Sequence, residues 1–174
     1  MTKTTHTYTY TTATRFGVIR LTSDGTAITR LTWLSPGLET SKTDKVAPDP
    51  VTAQAAKEIA EYAAGTRQEF TVATNLSQCS PSLQNWLKRL RQVKYGDTIS
   101  YTSFAELGGN AKAARTAGSA CAKNPIPLIY PCHRVRQKNG ALGNFGALQD
   151  LPANHSKNLA IKEALLQHEQ RHSA

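Results

Sequence analysis

Ser100-Tyr-Thr-Ser-Phe-Ala-Glu-Leu107, then Gly108-Gly-Asn110, then Ala111-Lys-Ala-Ala-Arg-Thr-Ala-Gly-Ser-Ala-Cys-Ala122, is the stretch that organises the second half of the chain. Ser103 and Glu106 have capping-box spacing, so a helix is expected to start there. The glycines turn the chain, and a second helix is expected over 111–122. Helix, glycine turn and helix form a helix-turn-helix candidate. The second helix is made mostly of small residues, including Ala113, Ala114, Ala117 and Gly118. Small side chains bury little area but permit close backbone approach, either to another helix or to a narrow groove of DNA. Arg115 is the long exception, and on an arbitrary helix it would simply be solvated.

Upstream, Ser80-Pro81 is a cap and first-turn pair for another helix. Leu83, Trp86, Leu87, Leu90 and Val93 form its apolar stripe, and Tyr95-Gly96-Asp97 is expected to end it. Residues 8–34 read as short strands, with Asp24-Gly25 as a hairpin turn and Ile28–Leu34 as the return strand. Ser35–Pro50 is a polar loop. Val51, Ala55, Ile59 and Tyr62 fall at helical spacing, followed by Gly65. Phe70–Thr74 is a further strand candidate. The fold expected is α+β: a small N-terminal sheet-and-helix domain over 1–78 acting as scaffold, then a mostly helical, winged-helix-like domain over 79–174.

Charge divides the same way. Net charge is +9, with eight Lys/Arg against seven Asp/Glu in residues 1–78 and thirteen against five in 79–174. A one-sided basic surplus suggests a polyanionic partner, most often nucleic acid. The three cysteines, Cys79, Cys121 and Cys132, form no C-x-x-C pair, so neither a disulfide framework nor a zinc site is indicated. Free thiols fit a reducing compartment inside the cell, cytoplasmic or, in a eukaryote, nuclear. No apolar run is long enough to cross a bilayer, so no membrane partner is expected.

Asn124-Pro125 stops the second helix. Ile126–Tyr130 then reads as an extended apolar segment that delivers Pro131-Cys132-His133-Arg134-Val135. A cysteine beside a histidine and an arginine can form a thiolate, because basic neighbours lower a thiol pKa from about 8.5 towards 3.5–7.5. The same five residues also fit a small buried thiol beside a surface His-Arg pair. In the last helix, roughly Ser156–Gln170, Glu169 lies on or beside the apolar face. A carboxylate there needs a partner. That partner is either a basic residue of a neighbouring helix or His133, in a Cys-His-acid arrangement.

Together, Gly96-Asp-Thr-Ile-Ser-Tyr101, Ala113-Ala-Arg-Thr-Ala-Gly118, Asn124-Pro-Ile-Pro127, Pro131-Cys-His-Arg-Val135, Gly140-Ala-Leu-Gly-Asn144 and Lys162-Glu-Ala-Leu-Leu-Gln-His-Glu169 resemble the O6-alkylguanine-DNA alkyltransferases. The match is dense over about half the chain, and its motifs come in the family's order. The resemblance implies a repair protein that binds duplex DNA through the minor groove, flips an alkylated guanine (alkylthymine at O4 being a second candidate) and takes the alkyl group once. It implies that Cys132 is the nucleophile, His133 its base through a water, Glu169 the orienter of His133, and Asn124 the pin of the turn joining helix to site. It implies that Arg115 fills the place of the flipped base and Tyr101 rotates the nucleotide and donates to the guanine edge. Ala113, Ala114 and Gly118 would fit the groove. The backbone of Val135 would read the base, and Phe145 and Gly146 would line the pocket. No metal or organic cofactor is implied. The protein would be a monomer in solution that can also bind cooperatively along DNA. The alternative on this scaffold is a lesion sensor that transfers nothing, although sensors of this kind lack the cysteine. A cysteine hydrolase would need an oxyanion element that the sequence lacks.

The chain departs from the family in three places, one being the apolar stretch before the helix-turn-helix, which is degenerate around Leu83 to Leu87. Phe145 stands where a tyrosine is usual, and residues 146–160 replace a short glycine-rich loop with a longer one.

Overall fold

The computed structural model describes residues 6–38 and 47–173. Strands β1 (Tyr8–Thr14), β2 (Gly17–Ser23) and β3 (Ile28–Leu34) form an antiparallel meander in the order β1-β2-β3. The Asp24 carboxylate accepts from the amides of Thr26 and Ala27, both at 2.9 Å, and this shapes the expected turn between β2 and β3. Ile19, Leu21, Leu31 and Trp33 are buried in the core. Helix α1 (Pro50–Ala63) packs on this sheet, and its Ala55, Ile59 and Tyr62 are buried. Asp49 caps α1, with Pro50 in its first turn. Residues 39–46, within the loop read between Ser35 and Pro50, lie outside the described residues.

Phe70–Thr74 is not a strand. The buried Glu58 carboxylate takes the amides of Thr71 and Val72 at 3.0 and 3.1 Å, so these groups are unavailable to a ladder. Only Thr74 makes a bridge, with Ile28. The remaining strand of the sheet is β1.

Helix α2 (Pro81–Leu90) starts as expected at Ser80, whose hydroxyl accepts from the Leu83 amide. It ends several residues before Tyr95-Gly96. The amides of Gln92 and Val93 reach back only three residues, tightening the chain into a turn that still buries Val93. Helix α3 (Tyr101–Leu107) is capped by Ser100, not Ser103, because the Ser103 amide donates to the Ser100 hydroxyl at 3.0 Å. Gly109 has φ +87°, a left-handed conformation that turns the chain. A single 3-10 turn over Ala111–Ala113 then leads into α4 (Ala114–Ala122).

Ile126–Tyr130 folds into a tight turn rather than an extended segment. The Tyr130 amide donates to the Ile126 carbonyl at 3.0 Å, and Leu128 has φ 76°. Asn124 closes the turn from its side: Nδ2 donates to the Tyr130 carbonyl at 2.8 Å and Oδ1 accepts from the Ile126 amide at 3.0 Å.

Two short strands, β4 (Ile99–Ser100) and β5 (Val135–Arg136), pair in parallel. β4 runs directly into Tyr101, and β5 follows Cys132–Arg134, so this pairing brings the two segments side by side. Helix α5 (Ser156–His172) closes the chain. One continuous buried cluster runs from Ile19 and Tyr62 through Phe104 and Ile126 to Leu165.

The long segment after Phe145 is ordered along the open edge of β3. The amide of Trp33 donates to the Ala147 carbonyl at 3.0 Å, and Ser35 donates to Asp150 at 2.9 Å. From the other side, buried Asn158 accepts from the Leu148 amide at 2.7 Å and donates to the Leu148 and Pro152 carbonyls.

Candidate active site

Cys132 opens a single 3-10 turn, Cys132–Arg134, that begins immediately after Pro131. Its sulfur faces a cavity of about 310 Å³ that also receives Tyr101 from α3, Ala114 and Gly118 from α4, and Phe145, Gly146 and Ala153 from the long segment. The additional residues of that segment thus build the pocket wall. Gly143 must be glycine here. Its φ is +73°, and a Cβ would lie 3.0 Å from the Tyr101 hydroxyl.

Of the two readings of Cys132, the buried thiol describes its resting state, although His133 and Arg134 beside it are buried as well. Burial pushes the Cys132 pKa up, and Asn124 and the Lys162 charge offset this only in part. Ionising the thiol would need a base. His133 is fully buried behind the pocket, with Nε2 2.7 Å from Oε1 of Glu169. Nδ1 of His133 is buried with no hydrogen-bond partner. Burial pushes the imidazole pKa down, against the pull of Glu169, so the ring is neutral. With Nε2–H donating to the carboxylate, the lone pair lies on Nδ1, free to take a proton.

Glu169 meets His133 and, in place of a basic residue from a neighbouring helix, Arg134 of the same turn. Arg134 donates to Oε2 at 2.9 Å and to Oε1 at 3.0 Å, while His133 takes Oε1. Burial alone would raise the carboxyl pKa. His133 and Arg134 outweigh it and hold the group well below the usual carboxylate range.

The other residues singled out from sequence occupy distinct places. Arg115 is exposed on α4. Ala113 is half-buried against the core and does not line the pocket. Val135 is buried, and its carbonyl accepts from Lys162 Nζ at 2.8 Å. Burial pushes the Tyr101 phenol up, followed by the charges of Cys121 and Cys132, so it is a protonated donor. Cys121 lines the same cavity, and burial raises its thiol too.

Two residues escaped the sequence reading. Lys162 is 0% exposed and also donates to the Asn144 carbonyl at 3.3 Å; burial lowers its pKa to about 8. Its spacing of seven from Glu169 places both on one face of α5, which was the available signal. Tyr62 reaches across from α1, and its hydroxyl donates to Oε1 of Glu169 at 2.8 Å. At helical spacing among apolar residues it looks like core, and no sequence signal marked it. Among the described residues, no group of three or more His, Cys, Asp or Glu side chains could hold a metal ion, and no helix is long and apolar enough to cross a membrane.

Residues 82–171 match the family model described as 6-O-methylguanine DNA methyltransferase, DNA binding domain. A methylated-DNA–protein-cysteine methyltransferase of Homo sapiens is 48% identical over 82 residues, a match spanning 47% of this chain and 35% of that protein's length. The protein of that name from Mycobacterium bovis is 36% identical over 131 residues, covering 75% of this chain and 78% of its own. The crystal structure of Mycobacterium tuberculosis OGT in complex with DNA superposes with a TM-score of 0.75 at 30% identity, covering 95% of this chain and 94% of that one. By sequence and by fold, the chain belongs to the 6-O-methylguanine DNA methyltransferase family.

Proposed function

We propose that the protein repairs DNA by moving an alkyl group from O6-alkylguanine, and secondarily from O4-alkylthymine, to the sulfur of Cys132. The observation that carries this reading is the cavity itself. Two cysteines, Cys121 and Cys132, line it, and Cys132 is the one followed directly by a neutral imidazole whose Nδ1 is unpartnered. In the proposed step the thiol proton passes through a water to His133 Nδ1, and Glu169 stabilises the imidazolium that forms. Sulfur attacks the alkyl carbon, the carbon–oxygen bond breaks, and its electron pair stays on guanine, where Tyr101 donates a hydrogen bond. The thioether product is stable, so each molecule acts once.

The target carbon is inaccessible inside a duplex, so the base must leave the stack. Exposed Arg115 and the small residues of α4 suit a minor groove about 6 Å wide, and the DNA-bound relative supports a DNA partner. Arg115 takes the place of the flipped base, while Ala113, Ala114 and Gly118 allow close approach. Asn124 holds the turn behind the nucleophile, and the backbone at Val135 and Gly146 meets the base edge. Phe145 keeps the aromatic wall without a hydroxyl. The protein acts as a monomer inside the cell, with residues 1–78 supporting the DNA-binding unit at 79–174.

The test is to incubate the protein with a duplex carrying O6-methylguanine and weigh the peptide holding Cys132. One added methyl group, absent in Cys132→Ala, is expected. Retained binding with no mass change would leave only a lesion sensor.

A further inference from the structure

We propose that Tyr62 is a positioning residue of the alkyl transfer: its hydroxyl shares Oε1 of Glu169 with His133 and so sets how strongly the carboxylate holds the imidazole. This deepens the alkyl-transfer reading and rests on it.

The geometry is specific. Oε1 of Glu169 receives Tyr62 at 2.8 Å, His133 Nε2 at 2.7 Å and Arg134 Nη2 at 3.0 Å. Oε2 receives Arg134 Nε at 2.9 Å and the Gly96 amide at 3.4 Å. The oxygen bound by His133 therefore carries three donors, although a carboxylate oxygen has two lone pairs. What Tyr62 takes, His133 does not receive. All of these side chains are buried, so the interaction is little screened by water.

Tyr62 is also held where it is. Its ring packs 5.5 Å from Phe70, 5.9 Å from Tyr95 and 5.2 Å from His168, and its own carbonyl meets His168 Nε2 at 2.6 Å. A residue that only filled the core would need the ring. The hydroxyl is aimed instead at the one oxygen that orients the base. Through it, the N-terminal α1 enters the proton path of a site otherwise built from residues after 95.

The ionisable groups around this centre are Glu169 and Lys162 from α5, Arg134 beside His133, and Tyr95 and His168 around the Tyr62 ring. Deleting the Tyr62 hydroxyl leaves them in place and removes one of the two donors that share Oε1 with His133. The imidazole becomes more basic: it is protonated up to a higher pH, where it cannot take the thiol proton, while its neutral form above that pH is the stronger base.

The experiment uses the full chain and Tyr62→Phe, which keeps the ring. Single-turnover transfer from an O6-methylguanine duplex and iodoacetamide labelling of Cys132 are followed across pH. Tyr95→Phe is the control, since the buried Tyr95 hydroxyl has no hydrogen-bond partner. In Tyr62→Phe, the acid limb of the profile should move to higher pH by about one pH unit, with transfer above that limb no slower than in the unaltered protein. Tyr95→Phe should leave both unchanged. A Tyr62→Phe profile superimposable on the unaltered one, or lowered equally at every pH, overturns the proposal while alkyl transfer stands. Equal changes in Tyr95→Phe overturn it as well. No transfer by the unaltered protein overturns the alkyl-transfer reading and this inference together. Should Tyr62→Phe not fold, the Tyr62 hydroxyl proton of the unaltered protein can be followed by NMR. It should shift as His133 titrates, and an unmoved resonance overturns the coupling.

Discussion

His133 and Glu169 meet through Nε2 and Oε1 at 2.7 Å, both buried, with Arg134 clasping the same carboxylate from the other side. Arg134 and the acid form a hydrogen-bonded buried pair, and the imidazole is oriented by it. Glu169→Gln keeps the shape and removes the charge. It leaves Arg134 without its counter-ion and His133 without the group that stabilises its protonated form. Breaking a buried pair by neutralising one partner costs about 3 kcal/mol or more. Urea denaturation should show that loss, and methyl transfer at pH 7 should fall with it. Unchanged stability would mean the pair is not formed in solution.

Acid should destabilise the protein in two stages. Burial holds His133 below its ordinary 6.5, so the unfolded chain binds a proton there that the folded chain refuses. Stability from this group is complete above about pH 6.5 and drains as pH falls. Glu169, held below its ordinary 4.5, behaves the same way further down: its contribution is full above that value and is lost as pH drops through the depressed range. Asp24, Asp49 and Glu58 are also lowered and share the second stage. Urea midpoints measured from pH 7 to pH 3 should fall from near 6.5 and more steeply below 4.5. The lower stage should be shallower in Glu169→Gln, and parallel curves for the two proteins would contradict this.

Lys162 places a buried ammonium near Cys132. Its charge favours the Cys132 thiolate, while burial lowers its own pKa to about 8. Lys162→Met removes the charge and leaves the Val135 carbonyl without its donor. Iodoacetamide labelling of Cys132 should then need a higher pH, and methyl transfer at pH 7 should slow. An unmoved labelling profile would show that the charge does not reach the sulfur.

Arg115 stands clear of the core on α4, whose Ala117 and Ala120 face inward. If it fills the gap left by a flipped base, its loss should matter only when there is a stack to invade. Arg115→Ala should slow repair in duplex DNA by on the order of tenfold, because holding a base out of the stack costs a few kcal/mol. Reaction with free O6-benzylguanine should be nearly unaffected. Equal losses on both substrates would remove the role.

Asn158 holds the long segment against α5 through three hydrogen bonds to the backbone of Leu148 and Pro152. Asn158→Ala leaves those buried groups unpaired, at a cost of about 1–3 kcal/mol. The wall carrying Gly146 and Ala153 should loosen. The rate with benzylated substrate should rise relative to the methylated one. An unchanged ratio would mean that this segment does not set the pocket's size.

Much of the frame was legible locally. Ser80-Pro81, Asp24-Gly25 and the glycine turn at 108–110 act through their immediate neighbours, and each appears where the sequence placed it. The errors arose where side chains outside the segment claimed its backbone atoms. Glu58 claimed the amides of Thr71 and Val72, and Ser100 took the capping position assigned to Ser103. Ile126–Tyr130 has the composition of a strand, but Asn124 bonds both of its ends and closes it into a turn.

The residue types and their order are enough to single out as candidates a cysteine beside a histidine, an acid on the last helix and a small-residue helix, because those features are read along the chain. Protonation and partnership belong to the folded molecule. The sulfur rests as a thiol because burial outweighs its positive neighbours, and Oε1 of Glu169 is divided between His133 and a tyrosine 107 positions away. Desolvation and Coulomb energies depend on distances through space, and only folding sets those distances.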